Sequence, residues 1–171
     1  MIQLRGRFRF AKGTCRPTHR VLSTNVNSRH TSLSPKTLLV DECERKSLNV
    51  HATTLPDITL QRRHMCDVEL LLNGGFDPLA GFLNKRDTES VYDSFRLSSG
   101  ALWPIPINLD ISTKQRQMIE DQQANEVALR DYEGNLIAIM SIEDIWEVDK
   151  KAEAEKVFGG DPEHPAIQFL N

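Results

Sequence analysis

Two acidic pairs, Glu143-Asp144 and Glu153 with Glu155, come nearest in type and spacing to an acid–base or metal-binding arrangement. Paired carboxylates can divide the work of general acid and base, or share a cation, when burial or a neighbouring like charge drives their proton affinities apart. Solvated helix faces and strand ends account for these pairs better, because acids near a helix start need only the helix dipole. The histidines, His19, His30, His51, His64 and His164, are scattered, so their spacing builds no local metal cluster, and His64 reads as a surface or capping histidine. Cys15, Cys43 and Cys66 are odd in number and far apart, which argues against a disulfide framework or a zinc site.

Trp103, followed by Pro104, and Trp146 could stack on a base, but their apolar surroundings favour packing. Gly74-Gly75 could cradle an anion on successive backbone amides, yet helix termination is the stronger reading. The sequence has neither Gly-x-x-x-x-Gly-Lys-Ser/Thr nor Gly-x-Gly-x-x-Gly, so the familiar phosphate cradles are missing. No residue is assigned a catalytic, cofactor-binding or metal-binding role.

The elements that would position these residues are short and mixed. An extended piece at Ile58–Leu60 precedes an amphipathic helix in which Val68, Leu71 and Leu72 share a face and Asn73-Gly74-Gly75 is the stop. Residues 76–83 are turn-rich, with Phe76, Leu79, Phe82 and Leu83 able to point inward. Asp87 is placed to cap a second helix carrying Val91, Tyr92 and Phe95, ended by Ser98-Ser99-Gly100. Ile105, Ile107, Leu109 and Ile111 alternate with polar residues and Pro106, which predicts an edge or bulged strand. Ser112 then caps a polar helix to about Gln123, and residues 126–130 and 136–142 flank the turn 131–135 as a hairpin. A last strand runs towards Trp146, a charged helix covers about 150–157, and Gly159-Gly160-Asp161-Pro162 breaks it. This order lacks regular βαβ alternation, so the class is α+β, a small bent sheet or pseudo-barrel with interspersed short helices.

The chain is 171 residues long and 39% apolar, enough for one domain with a core. Its formal charge of −3 hides two unlike parts. Residues 1–36 hold eight cations, Arg5, Arg7, Arg9, Lys12, Arg16, Arg20, Arg29 and Lys36, and no acid, which leaves the remainder at a formal −11. A basic, hydroxyl-rich, acid-free start fits an organellar transit peptide; a disordered leader, a misassigned start codon and a basic RNA-binding arm are the alternatives. Residues 37–53 lack periodicity and read as a poorly ordered lead-in to a domain over 54–171. A secretory signal is not expected, since Arg and Lys interrupt every candidate stretch before residue 30, where an apolar run of about 7 to 15 residues is needed, and no segment reaches membrane-spanning length.

Residues 66–83, C-D-V-E-L-L-L-N-G-G-F-D-P-L-A-G-F-L, resemble the ATP sulfurylase (sulfate adenylyltransferase) signature C-D-x-E-x-L-x-x-G-x-F-S-P-L-x-G-F-M. The resemblance continues in register through Arg96-Leu97, Gly100, 102–107 and Leu109-Asp110, then 128–131, Glu133-Gly134, 141–146 and 155–159, to His164-Pro165 and Phe169-Leu170. Asp77 replaces the usual serine, and the stretch 159–164 is one residue shorter than the family's G-T-x-D-x-x-H-P.

The resemblance implies the family's N-terminal PUA-like domain, a bent β-rich fold with helices, preceded here by a disordered leader. It implies a full-length enzyme that joins sulfate to the α-phosphorus of MgATP, giving adenosine 5'-phosphosulfate and pyrophosphate in sulfate assimilation. That chemistry brings two anions together and needs cations and helix dipoles around them. The family supplies them from Q-x-R-N-P-x-H-x-x-H and G-R-D-H-A-G, and neither string occurs in this chain. The expectation is therefore a fragment or incomplete gene product, inactive alone, binding no cofactor itself and docking a catalytic domain in cis or in trans within an oligomeric enzyme. A stand-alone regulatory partner of a full-length sulfurylase and a PUA-type RNA-binding module are the alternatives. The acidic balance weighs against RNA, because counterion release rewards clustered Lys and Arg. No membrane partner is expected. The basic leader suggests a mitochondrion or plastid, with the cytoplasm as alternative.

Overall fold

Val127 and Leu129 alternate with Glu126, Ala128 and Arg130, and the residues after Arg130 close a tight turn. The computed structural model describes residues 2–8 and 38–148, together with Glu153 and Lys156. In it β4 (Glu126–Arg130) and β5 (Leu136–Glu147) pair antiparallel around that turn. The Asp131 carboxylate accepts from the amides of Glu133 and Asn135, and Gly134 takes the left-handed φ of 89° that a side chain would disfavour. The strand expected to run towards Trp146 is the continuation of β5.

The sheet has the order β2-β4-β5-β1-β3, with β1 (Ile2–Phe8), β2 (Asp57–Thr59) and β3 (Leu109–Ile111). The β2–β4 pair is parallel and the others are antiparallel. The α+β class holds, and the sheet is open, with β2 and β3 at its edges. Of the alternating run 105–111, only the last three residues are strand, because Pro104 and Pro106 have no N–H to give a ladder.

Residues 2–8 correct the reading of 1–36 as a leader, since they form an interior strand of the sheet. Ile2, Leu4 and Phe8 belong to the main core, so this part of the basic stretch is apolar on alternate positions and buries them. The lead-in 37–53 is corrected too: α1 (Glu42–Ala52) is a helix started by Asp41, whose carboxylate accepts from the Glu44 amide. Ala52 packs with Ala128 and Ile139, so α1 covers the sheet face opposite the main core. The rest of the leader and the helix expected at 150–157 lie outside the described residues, apart from Glu153 and Lys156, which are helical.

Three more helices follow: α2 (Arg62–Asn73), α3 (Lys85–Ser94) and α4 (Thr113–Asp121). Helix α4 begins with a full capping box, Ser112 and Gln115 each serving the other's amide. Helix α3 is capped by Asn84, not Asp87 as the sequence suggested. The start lies one turn earlier, and Asp87 sits at the third helical position, where its side chain accepts from the Asn84 amide group. Leu4, Leu109, Leu129 and Met140 are completely buried in the main core, each worth roughly 1.5–3 kcal/mol of apolar transfer.

Candidate functional site

The segment with the sulfurylase-like signature begins on α2 and ends in a packed loop. His64, Val68 and Leu71 stand four and three residues apart, so one helical face carries them into the core. Gly74 ends the helix with a φ of 84°. The Gly75 amide donates to Asn73 Oδ1 at 2.8 Å, so that amide serves the turn and Gly74-Gly75 acts as helix terminator, not anion cradle. Beyond it, Phe76 stands edge-on to Trp103 with ring centroids 5.6 Å apart, and Phe82 packs on Phe8 at 6.2 Å. Trp103 thus packs, as the sequence suggested.

This loop forms one wall of a cleft of about 290 Å³, whose other side includes Arg5, Asp87, Leu97, Ser98 and Ser99. The Asp87 carboxylate accepts from the Ser98 amide at 2.9 Å and from the Ser98 hydroxyl, tying α3 to the turn that follows it. Arg5 Nε lies 2.9 Å from Glu143 Oε2. The two charged side chains that line the cleft each have a partner, Asp87 in Ser98 and Arg5 in Glu143, which suits a rigid surface. General acid–base work needs a group poised to exchange a proton with substrate.

Two buried polar groups were missed in the sequence. His64 is 2% exposed, not a surface histidine, and its Nε2 lies 3.7 Å from Asp110 Oδ2. Asp110 also accepts from Arg63 at 3.2 Å and faces Gln3, so β1, β3 and α2 meet in a polar cluster. Asp67 borders it, and burial raises its carboxyl above the usual range, against the pull of Arg63 and His64 and with help from Asp110. Glu153, read as part of a solvated face, is 8% exposed. It lies beside Tyr92, and burial followed by that carboxylate pushes the Tyr92 phenol up. The helical period would have placed His64 inward with Val68; no local signal in the sequence marks Glu153 as buried.

The remaining candidates scatter. Glu143 and Asp144 are exposed, but they lie within β5 and not at a strand end. His51 is half-exposed and pairs with Glu126 at 2.7 Å. Trp146 lines a smaller cleft of about 200 Å³ with Tyr92, Lys85 and Lys156. Cys43 and Cys66 are exposed free thiols. Among the described residues no group of three His, Cys, Asp or Glu side chains could hold a metal ion, and no helix is long and apolar enough to cross a membrane. Cys15, His19, His30, Glu155 and His164 lie outside the described residues.

The sheet and its packed loop define a small α+β module. Residues 28–171 match the family described as a PUA-like domain, and the chain belongs to that family. It is 43% identical over 146 residues to a sulfate adenylyltransferase of Coccidioides immitis (strain RS), covering 85% of this chain and 26% of that protein. It is 47% identical over 135 residues to the sulfate adenylyltransferase of Eremothecium gossypii, covering 78% and 27%. The chain therefore spans about a quarter of the length of the curated relatives it matches. The structure is also similar to the hexameric APS kinase from Thiobacillus denitrificans, with a TM-score of 0.57 and 30% identity over 67% of this chain and 22% of that one.

Proposed function

We propose that this chain serves as the PUA-like module of a sulfate adenylyltransferase and docks against a catalytic domain, in cis or in trans, without itself carrying the adenylyl transfer. The observation that carries this reading is the 43% to 47% identity to sulfate adenylyltransferases, which covers most of this chain but only about a quarter of theirs. The formal −11 of residues 37–171 supports the same view, since a site for MgATP and sulfate must gather positive charge.

The test is a pyrophosphate-release assay on the purified chain with ATP, magnesium and sulfate, followed by addition of a separately produced catalytic domain from a fungal relative. No release by the chain alone, and co-elution or raised turnover on mixing, is the expected result. Turnover by the chain alone would overturn the non-catalytic assignment, and failure of the two to associate would overturn the docking role.

A further inference from the structure

Three large apolar side chains stand out in solvent within one short stretch: Phe95 is 49% exposed, Leu102 67% and Ile105 54%. We propose, resting on the docking role above, that residues 95–106 are the face with which the module packs on the apolar surface of a second folded unit, the catalytic domain of a sulfate adenylyltransferase.

The stretch is built to hold these side chains out. Helix α3 ends at Phe95, whose φ of 55° puts an aromatic residue in the left-handed region that Cβ crowding disfavours. Its amide closes the helix on the Val91 carbonyl. The chain then doubles back: Arg96 bridges Leu102, the Leu97 amide donates to the Ala101 carbonyl, and the Trp103 amide donates to the Phe95 carbonyl at 2.8 Å. Gly100 turns the chain with a φ of 89°. Trp103 anchors this arm inward, against the cluster of Leu83, Val91 and Leu97, while its neighbours Leu102 and Ile105 stay outside. Pro104 and Pro106 stiffen the backbone on either side of Ile105. A face ordered in advance loses little freedom on contact, which favours association.

The chemistry of the stretch selects a protein partner. From Ser94 to Pro106 the one charged residue is Arg96, and its guanidinium donates to the Gly100 carbonyl at 2.9 Å. Nucleic acid rewards clustered cations, which this stretch lacks, whereas aromatic and aliphatic side chains with few charges match the centre of a protein interface. The sulfate adenylyltransferases supply the partner. A match of 146 residues in a chain of 171 necessarily includes 95–106, yet it takes up 26% of the Coccidioides immitis protein. Most of such a protein is polypeptide beyond the matched part, and the module within it must turn a face towards that polypeptide.

The experiment mixes the full chain with the separately produced catalytic domain of a fungal sulfate adenylyltransferase and reads the dissociation constant by calorimetry. Leu102→Ser and Ile105→Ser should each weaken the complex about tenfold or more, with the melting temperature unchanged because both side chains already face water. Val50→Ser, at an exposed apolar position on α1, should leave the affinity as it is; an equal loss there would overturn the assignment. Hydrogen exchange of the unsubstituted chain should slow over 95–106 on mixing, and slowing confined to other segments would count against this face. If the parent chain binds and both variants bind equally well, the face is overturned while the docking role stands; if the parent chain does not bind, the docking role falls and the face with it. Gel filtration of the chain alone should show a monomer, and a dimer that Leu102→Ser splits would assign the face to a second copy and overturn the choice of partner.

Discussion

Asp67 shows how a side chain at the edge of a polar cluster ties stability to pH. Its carboxyl is raised chiefly by burial, with Arg63 and His64 opposing and Asp110 assisting. A carboxyl whose native pKa lies above its unfolded value holds its proton more tightly in the folded chain. Its contribution is fully present below the unfolded pKa and is lost as pH rises through the native one. Asp67→Asn, which keeps the shape of the protonated acid, should therefore melt above the parent at pH 7, and the two should converge below the unfolded value of roughly 3.9. Thermal melts of both proteins across that range check this; a gap that persists in acid would mean that Asp67 acts through packing. Met140 is a simpler case. It is completely buried and touches the strand interface beside Gly6, so Met140→Ala should cost about 2–5 kcal/mol in chemical denaturation.

At the scale of elements, caps and strand edges set the boundaries. Ser112 and Gln115 satisfy each other's amides at the start of α4, where Ile119 carries the helix into the core. Ser112→Ala should lower stability by about 1 kcal/mol, measured by urea denaturation, with the rest of the fold intact. Asn84 does similar work for α3, and Asp87, freed from capping, fastens the turn at Ser98. In the cleft, Asp87 is held by the nearby Ser98, whereas Arg5 is held by Glu143 from the far end of the chain.

At the scale of the molecule, the sheet joins segments far apart in the chain. Strand β1 pairs with residues 109–111 and 140–147, and β2 lies parallel to β4. The main core draws on every strand of the sheet together with α2 and α4. On the proposed docking role, the purified chain should release no pyrophosphate from ATP and sulfate until a catalytic domain is added, as the release assay would read.

Much of this was legible in residue order because the deciding interactions are local. The hairpin at 126–142, the Gly74 helix stop, the Ser112 cap and the packed loop 76–83 depend on periodicity, left-handed glycines and side chains within a few positions of one another. The signature at 66–83 likewise marks the PUA-like family in residue order alone. Tertiary structure alone decided what depends on distant partners. Residues 2–8 looked like part of a basic leader because local reading counts arginines and cannot see β3 and β5 waiting on either side. Glu153 looked solvated because it is buried beside Tyr92, distant in sequence, whereas the inward place of His64 follows the helical period it shares with Val68. The run at 105–111 shrank to three residues because ladder hydrogen bonds need a neighbour's backbone as well as an alternating pattern. Local chemistry thus wrote the turns, caps and family signature, and the pairing of remote strands determined which polar and basic residues belong inside.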